Sequence, residues 1–281
     1  MKIGFIGAGK VGFTLGKFFT QGKIPVTGYY SRHGESAKEA AAFTGTKQYE
    51  KIEKLVCESD AIFLTVPDGE ISSVFEEIKE LEITGKQICH CSGAMAAREA
   101  FPGIDKTGAY GYSIHPLFPI SSKYDVYGEL PGAFFCLEGS GPHLDGWEQI
   151  LRTLGCKTRI IAAESKVKYH AACAISSNLI CALVQESIEL LADCGFSKEE
   201  ALAALAPLLR CNMEHILAKG PVPSLTGPVE RNDVLTVKKH LDCLQAPEDR
   251  ELYQAASKKL VQVAKQKNPE RSYETLKRLL E

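Results

Sequence analysis

The sequence has no excess of either charge. Lysine and arginine total 33 against 35 aspartates and glutamates, a formal net charge of −2. That argues against a dedicated nucleic-acid binder, whose footprint is strongly basic, and against binding to anionic membrane surfaces. Ten cysteines are present but no CxxC pair, and the apolar run after Met1-Lys2 breaks at once into glycines. Neither a metal site nor a secretory signal is expected, and the chain reads as one for a reducing cytoplasm, with cysteine used as a small apolar residue. Cys89 and Cys91 lie two apart in an expected strand, share one sheet face, and are expected in the core. No membrane span is expected either. The longest stretch free of Asp, Glu, Lys and Arg, residues 169–185, contains His170, Ser176, Ser177, Asn178 and Gln185 and is short of a bilayer crossing. It reads as a buried helix. No internal repeat or low-complexity tract occurs.

What is present is the composition of a globular chain, 44% hydrophobic and 24% charged over 281 residues, long enough for about two domains. Short β-type runs at 2–7, 25–31, 61–66, 86–92, 109–116, 133–139 and 157–162 alternate with helical stretches, notably Lys10 to Phe19, 35–43 and His143 to Leu154. Such alternation predicts an α/β fold with a mostly parallel, doubly wound sheet. From Glu164 onward no strand is evident. One long helix is expected up to Gly195. Ser197 and Glu200 then form a capping box for the next, which contains Pro207. Asn232 or Asp233 opens another helix, and two more follow Pro247 and Pro269. The expected domains are 1–162 and an all-helical 163–281.

Gly7-Ala8-Gly9-Lys10-Val11-Gly12 is GxGxxG placed between an expected strand and an expected helix, the context a dinucleotide fingerprint requires. Gly7 permits the turn, Gly9 a close backbone approach to pyrophosphate, and Gly12 close helix–strand packing. Gly7, Gly9, Lys10, Val11 and Gly12 are therefore expected cofactor contacts, on a Rossmann-type domain. The second strand ends Tyr29-Tyr30-Ser31-Arg32, with no acid to bond a ribose 2′-hydroxyl. Ser31 and Arg32 supply a hydroxyl and a cation, which suit the 2′-phosphate of NADP(H). Val66 and Pro67 end the third expected strand, and Ser92 the fourth, on the edge where such sheets hold ligands.

Lys166, His170 and Asn178 fall at i, i+4 and i+12 of one expected helix and so share a face. A lysine in a dry cleft can act as a general acid, a histidine can hold or supplement the proton, and an asparagine can bond a carbonyl or carboxylate. Thr226, Arg231 and Asp233 lie where a turn enters a helix, suited to a carboxylate or serving only as a helix entry with Asp233 as cap. His115, in Ser113-Ile114-His115-Pro116, sits at the carboxyl end of a strand and is a further candidate contact.

Together these motifs resemble the 6-phosphogluconate dehydrogenase-like superfamily of two-domain NAD(P) oxidoreductases, which includes ketopantoate, pyrroline-5-carboxylate and prephenate enzymes. The resemblance is closest to a bacterial group with a Rossmann-like domain and a helical C-terminal domain, some members of which are ketopantoate reductases. It rests on HPL at 115–117, KxxxHxxxxxxxN from Lys166 to Asn178 and TGPxxRxD from Thr226 to Asp233, and spans essentially the whole chain. It implies an NADPH-dependent reductase of a small anionic 2-oxo acid, ketopantoate first, and a homodimer built through the helical domain. In better-known members a lysine with an asparagine four residues on protonates the carbonyl oxygen. Here Lys166 matches the lysine and His170 replaces the asparagine, so Lys166, His170 or a water between them is the implied donor. A cyclic imine or prephenate-like substrate, and a non-catalytic NADP(H) sensor, are the alternative readings.

Overall fold

From the N-terminus, the computed structural model, which describes residues 1–281, alternates β1 (Ile3–Ile6), α1 (Lys10–Gln21), β2 (Val26–Tyr30), α2 (Gly34–Thr44), β3 (Lys47–Gln48), α3 (Ile52–Glu58), β4 (Ala61–Leu64), α4 (Asp68–Ile78), β5 (Gln87–His90), α5 (Ala97–Ala100) and β6 (Tyr110–Leu117). The strands β7 (Phe134–Gly139) and β8 (Lys157–Ile160), with α6 (Leu144–Thr153) between them, complete one eight-stranded sheet. Its order is β3-β2-β1-β4-β5-β6-β7-β8. All pairings are parallel except β6 with β7. This is the expected Rossmann-type, doubly wound domain. The short β3 and α3 were not expected.

The central strands are buried on both faces, which is why they read as continuous apolar runs. Phe5, Phe63 and Cys89 point to one side, where Phe19, Tyr29 and Trp147 meet them. Ile6, Ile62, Leu64 and Ile88 point to the other, against Val74, Phe75, Ile78 and Phe101. Each fully buried side chain of this size contributes about 1.5–3 kcal/mol. The two apolar layers therefore hold the carboxyl edge of the sheet, and every loop on it, in a fixed frame.

Two compact units divide the chain, Met1–Asn178 and Leu179–Glu281, rather than 1–162 and 163–281. The reason is α7 (Lys166–Ser176). Its first residue hydrogen-bonds Ser92 and Ser113 of the sheet domain, and the helix stays with that domain. The expected single helix up to Gly195 is also two. Ser177 leaves helical geometry at φ −128°, ψ −71°, and α8 (Asn178–Asp193) follows.

The second unit contains α8, α9 (Lys198–Lys219), α10 (Pro221–Ser224), α11 (Pro228–Arg231), α12 (Val234–Cys243), α13 (Pro247–Lys267) and α14 (Glu274–Leu280). The capping box at α9 forms as expected, with Glu200 N donating to Ser197 Oγ and Ser197 N to Glu200 Oε2. Val229, Val237, Leu241, Val261, Leu276 and Leu280 pack around Tyr273, whose hydroxyl donates to the Glu230 carbonyl at 2.7 Å.

Two expectations are corrected here. The uncharged helix around residues 169–185 is not buried. Ile175, Leu179 and Leu183 are exposed, α8 has no buried residue, and α9 buries Ala201 alone. The helical run 163–193 is long and apolar enough to cross a membrane by length and composition, and its apolar window has no buried share. Apolar composition alone predicts burial, yet these side chains stay exposed. Nor are most cysteines packing residues. Cys89, Cys136 and Cys156 are buried, while Cys57, Cys181, Cys194, Cys211 and Cys243 are exposed. No cluster of three or more His, Cys, Asp or Glu side chains could hold a metal ion.

Candidate active site

The glycine loop begins the site. Gly7 has φ +102° and lies so close to β4 that a Cβ would meet the Thr65 carbonyl oxygen at 2.6 Å. Its own carbonyl accepts the Thr65 hydroxyl at 2.8 Å. A Cβ on Gly12 would strike the Gly7 carbonyl and Thr65 Oγ1, both at 2.7 Å, so Gly12 is needed for packing. Gly9 is different. It is the N-cap of α1, no side chain caps the helix there, and a Cβ would reach only Thr65 O at 3.9 Å. The open space over an uncapped helix start fits a pyrophosphate.

A cleft of about 390 Å³ opens beside this loop, lined by Gly7, Ala8, Gly9, Ser31, Arg32, Val66 and Pro67 among others. These residues end β2, β1 and β4, the three neighbouring strands where the sheet order reverses, the place α/β sheets bind dinucleotides. Lys10 and Val11 are not in its lining. Lys10 is exposed at the start of α1, and Val11 packs against the core. Arg32 reaches the cleft already paired, Nη1 to Glu70 Oε2 at 2.9 Å. Glu70, in the first turn of α4, was not among the expected residues.

One strand further along the sheet, Ser92 is a hub. Its N–H donates to His90 Nδ1 at 3.1 Å, its hydroxyl donates to Asp68 Oδ2 at 2.6 Å and accepts from Met95 N at 3.1 Å. Its carbonyl accepts from Lys166 Nζ at 2.9 Å and from the Ser113 hydroxyl at 3.3 Å. Lys166 Nζ also donates to Ser113 Oγ at 2.6 Å. Ser92 thus lies not in the cofactor cleft but beside it, joining Asp68 of α4 to Lys166 of α7. Lys166 is only 1% exposed. Burial pulls its amine below the ordinary lysine range, opposed by the more distant Cys136, Glu138, Cys91 and Asp68. Glu138 sits directly across from Ser113 in the β6–β7 register and accepts the Ala97 N–H at 2.7 Å. Burial raises its carboxyl, with that hydrogen bond opposing.

The adjoining cleft, about 620 Å³, is lined by His115, Pro116, Leu117, Tyr169, His170, Cys173 and Asn178 among others. His115 Nδ1 and the Tyr169 hydroxyl are 2.8 Å apart. The His115 and His170 rings meet edge to face at 6.2 Å. Burial, helped by Lys166 and His170, holds His115 down to about 3, so it is neutral. Gly93 makes room for both rings. A Cβ there would fall 2.9 Å from His115 Nε2 and closer still to His170 Cδ2.

The expected face of three is therefore divided. His170 and Asn178 line the open cleft, Asn178 from beyond the Ser177 break, whereas Lys166 is sealed beneath it. Thr226, Arg231 and Asp233 stand in the second unit. Thr226 lines an apolar cleft there with Leu225, Leu260 and Val263, and Arg231 is exposed at the end of α11. Asp233 caps α12. Its Oδ1 accepts from Thr236 N at 3.0 Å and its Oδ2 from Thr236 Oγ1 at 2.7 Å, so it serves the helix in preference to a ligand. Tyr169, Glu70 and Glu138 were missed. Tyr169 alone had a sequence signal, one residue before His170 on the same helix.

Residues 1–116 match the model of the Rossmann-like domain. Residues 133–260 match that of a domain of unknown function, DUF2520. No curated protein matches the sequence. Among solved structures, protein TM1727 of Thermotoga maritima is 28% identical with a TM-score of 0.74, covering 94% of this chain and 98% of that one. A reductive aminase of Aspergillus terreus, in complex with NADPH and ethyl levulinate, has a TM-score of 0.70 at 16% identity, covering 96% and 99%. A pyrroline-5-carboxylate reductase of Coxiella burnetii has 0.56 at 17%, covering 94% and 97%. At such identities the last two show a shared fold.

Proposed function

We propose that this chain is an NADP(H)-dependent reductase of a small anionic substrate with a carbonyl or imine carbon, and that a 2-oxo acid such as ketopantoate is the first substrate to assay. One observation carries the reading. Along one sheet edge lie in turn a cleft with Arg32 and Ser31, the Ser92 and Ser113 pair that holds the buried Lys166 of α7, and a cleft bearing His115 of β6 and His170 of α7.

Bound NADPH would supply a hydride, held by Gly7, Gly9, Ser31, Arg32, Val66 and Pro67. His170, exposed at the rim, gives the proton to the oxygen or nitrogen that gains charge. Lys166 holds Ser92 and Ser113 in place and lends a positive field at a dry site. Neutral His115, oriented by Tyr169, shapes the wall and offers Nε2 to the substrate. Asn178 bonds the substrate's polar groups. The uncovered faces of α8 and α9 support a homodimer through these helices.

The imine reading is kept because the reductive aminase and the pyrroline-5-carboxylate reductase share the fold. NADPH oxidation followed with a panel of 2-oxo acids and cyclic imines separates the two. Turnover with neither class, while NADPH binds, would favour the non-catalytic sensor. Full activity in both His170→Ala and Lys166→Ala would refute the assigned roles.

A further inference from the structure

We propose that Glu70 is a specificity-determining residue that opposes the 2′-phosphate in the cofactor cleft. The inference rests on the dinucleotide reading above and concerns a side chain to which that reading gives no task. Glu70 and Arg32 line the same cleft as Ser31. They touch through one contact, Nη1 to Oε2 at 2.9 Å, with the arginine side chain 60% and the glutamate 47% exposed. The pair is therefore monodentate and solvated, and such a pair is easily opened. Glu70 is also held where its charge is favoured, in the first turn of α4 beside Asp68.

A 2′-phosphate needs the Arg32 guanidinium. To take it, the phosphate must either displace the Glu70 carboxylate or lie against it. Displacement forfeits the ion pair, and close approach sets two anions together. A 2′-hydroxyl meets neither cost, because it can donate to the same carboxylate. Arg32 and Glu70 thus pull in opposite directions at one point of the ribose, and the preference for a phosphorylated cofactor is the difference between them. An exposed pair and a like-charge contact through water are each worth a few-fold in binding, so removing the charge of Glu70 is expected to favour the phosphorylated ligands by about tenfold.

The test is equilibrium binding, read by calorimetry and NADPH fluorescence at one ionic strength, on wild type and Glu70→Gln. The ligands are NADPH, NADH, adenosine 2′,5′-bisphosphate and AMP. Glu70→Gln is expected to tighten NADPH and the bisphosphate by about tenfold while NADH and AMP are unchanged or weakened. Equal shifts for all four ligands, or no shift for NADPH, would overturn the role of Glu70 and leave the cofactor reading intact. Failure of wild type to bind any of the four would overturn the cofactor reading itself, and Glu70 with it.

Discussion

Gly93→Ala is the most informative single substitution in this chain. An added Cβ would lie 2.9 Å from His115 Nε2 and 3.1 Å from His115 Cε1, and nearer still to His170 Cδ2. The two neighbours differ in their freedom to move. His170 is exposed and can swing aside. His115 is tied to Tyr169 at 2.8 Å and is half-buried, so it gives only by straining that bond. Overpacking of this kind costs about 1–3 kcal/mol. At roughly 2–4 °C per kcal/mol for a unit of this size, melting is expected to fall by about 2–12 °C. The chemistry is more exposed than the stability, because a displacement of about 1 Å at a reacting group costs on the order of a hundredfold in rate. Differential scanning calorimetry and NADPH turnover check both. Gly69→Ala is the matched control. Gly69 lies inside α4 with nothing within 4 Å of its would-be Cβ, so the change is expected to stabilise by about 0.5–1 kcal/mol. If Gly93→Ala melts like wild type, the close packing of the two histidines over Gly93 is refuted.

Three further outcomes are expected. The buried Lys166 amine is held below its ordinary value, so between that lowered pKa and about 10.4 the unfolded chain binds more protons and stability rises with pH. Lys166→Met removes that rise, and urea melts from neutral to alkaline pH would refute it by giving parallel curves for both proteins. Burial, with Lys166 and His115 adding, holds His90 at about 3. Stability therefore falls as pH drops from about 6.5 through 3, at about 1.4 kcal/mol per pH unit for this group. His90→Asn, which keeps an acceptor for Ser92 N, is expected to flatten the acid limb. For the proposed homodimer, Leu183→Glu on the exposed face of α8 is expected to yield a monomer by light scattering where wild type has a dimer's mass, and equal masses for the two proteins would remove that helix from the proposed interface.

Much of this arrangement was legible in the residues because it is local. β1, β4 and β5 are short apolar runs between turn signals, and GxGxxG stands where strand meets helix. The capping box of Ser197 and Glu200 needs only four consecutive residues. Less local features were not legible. β3 is two residues long and exists through its pairing with Gly28 and Tyr29. The break at Ser177 has no glycine or proline to announce it. Lys166 and His170 share a helix, yet one is sealed and the other open, because Ser92 and Ser113 take the amine from 74 and 53 residues away. Glu70 meets Arg32 across 38 residues. Helical spacing gives which side chains share a face, but not what that face touches.

The reversal of β7 has a consequence of register. Running against β6, it delivers the chain through β8 to the level of Ser113, and α7 then climbs beside β6. Its first residue meets Ser113, its next turn meets His115, and its last turn joins the cleft at Leu117 and Phe118. The helix is laid along the strand as a ruler, each mark against its own residue. A slip by one turn, about 5.4 Å, would set His170 against Ser113 and lift Lys166 out of its seal. The connection between β8 and α7 is five residues long, and its length fixes the zero of that scale. Inserting or deleting a residue there would move every chemical group on the helix at once while leaving the sheet unchanged.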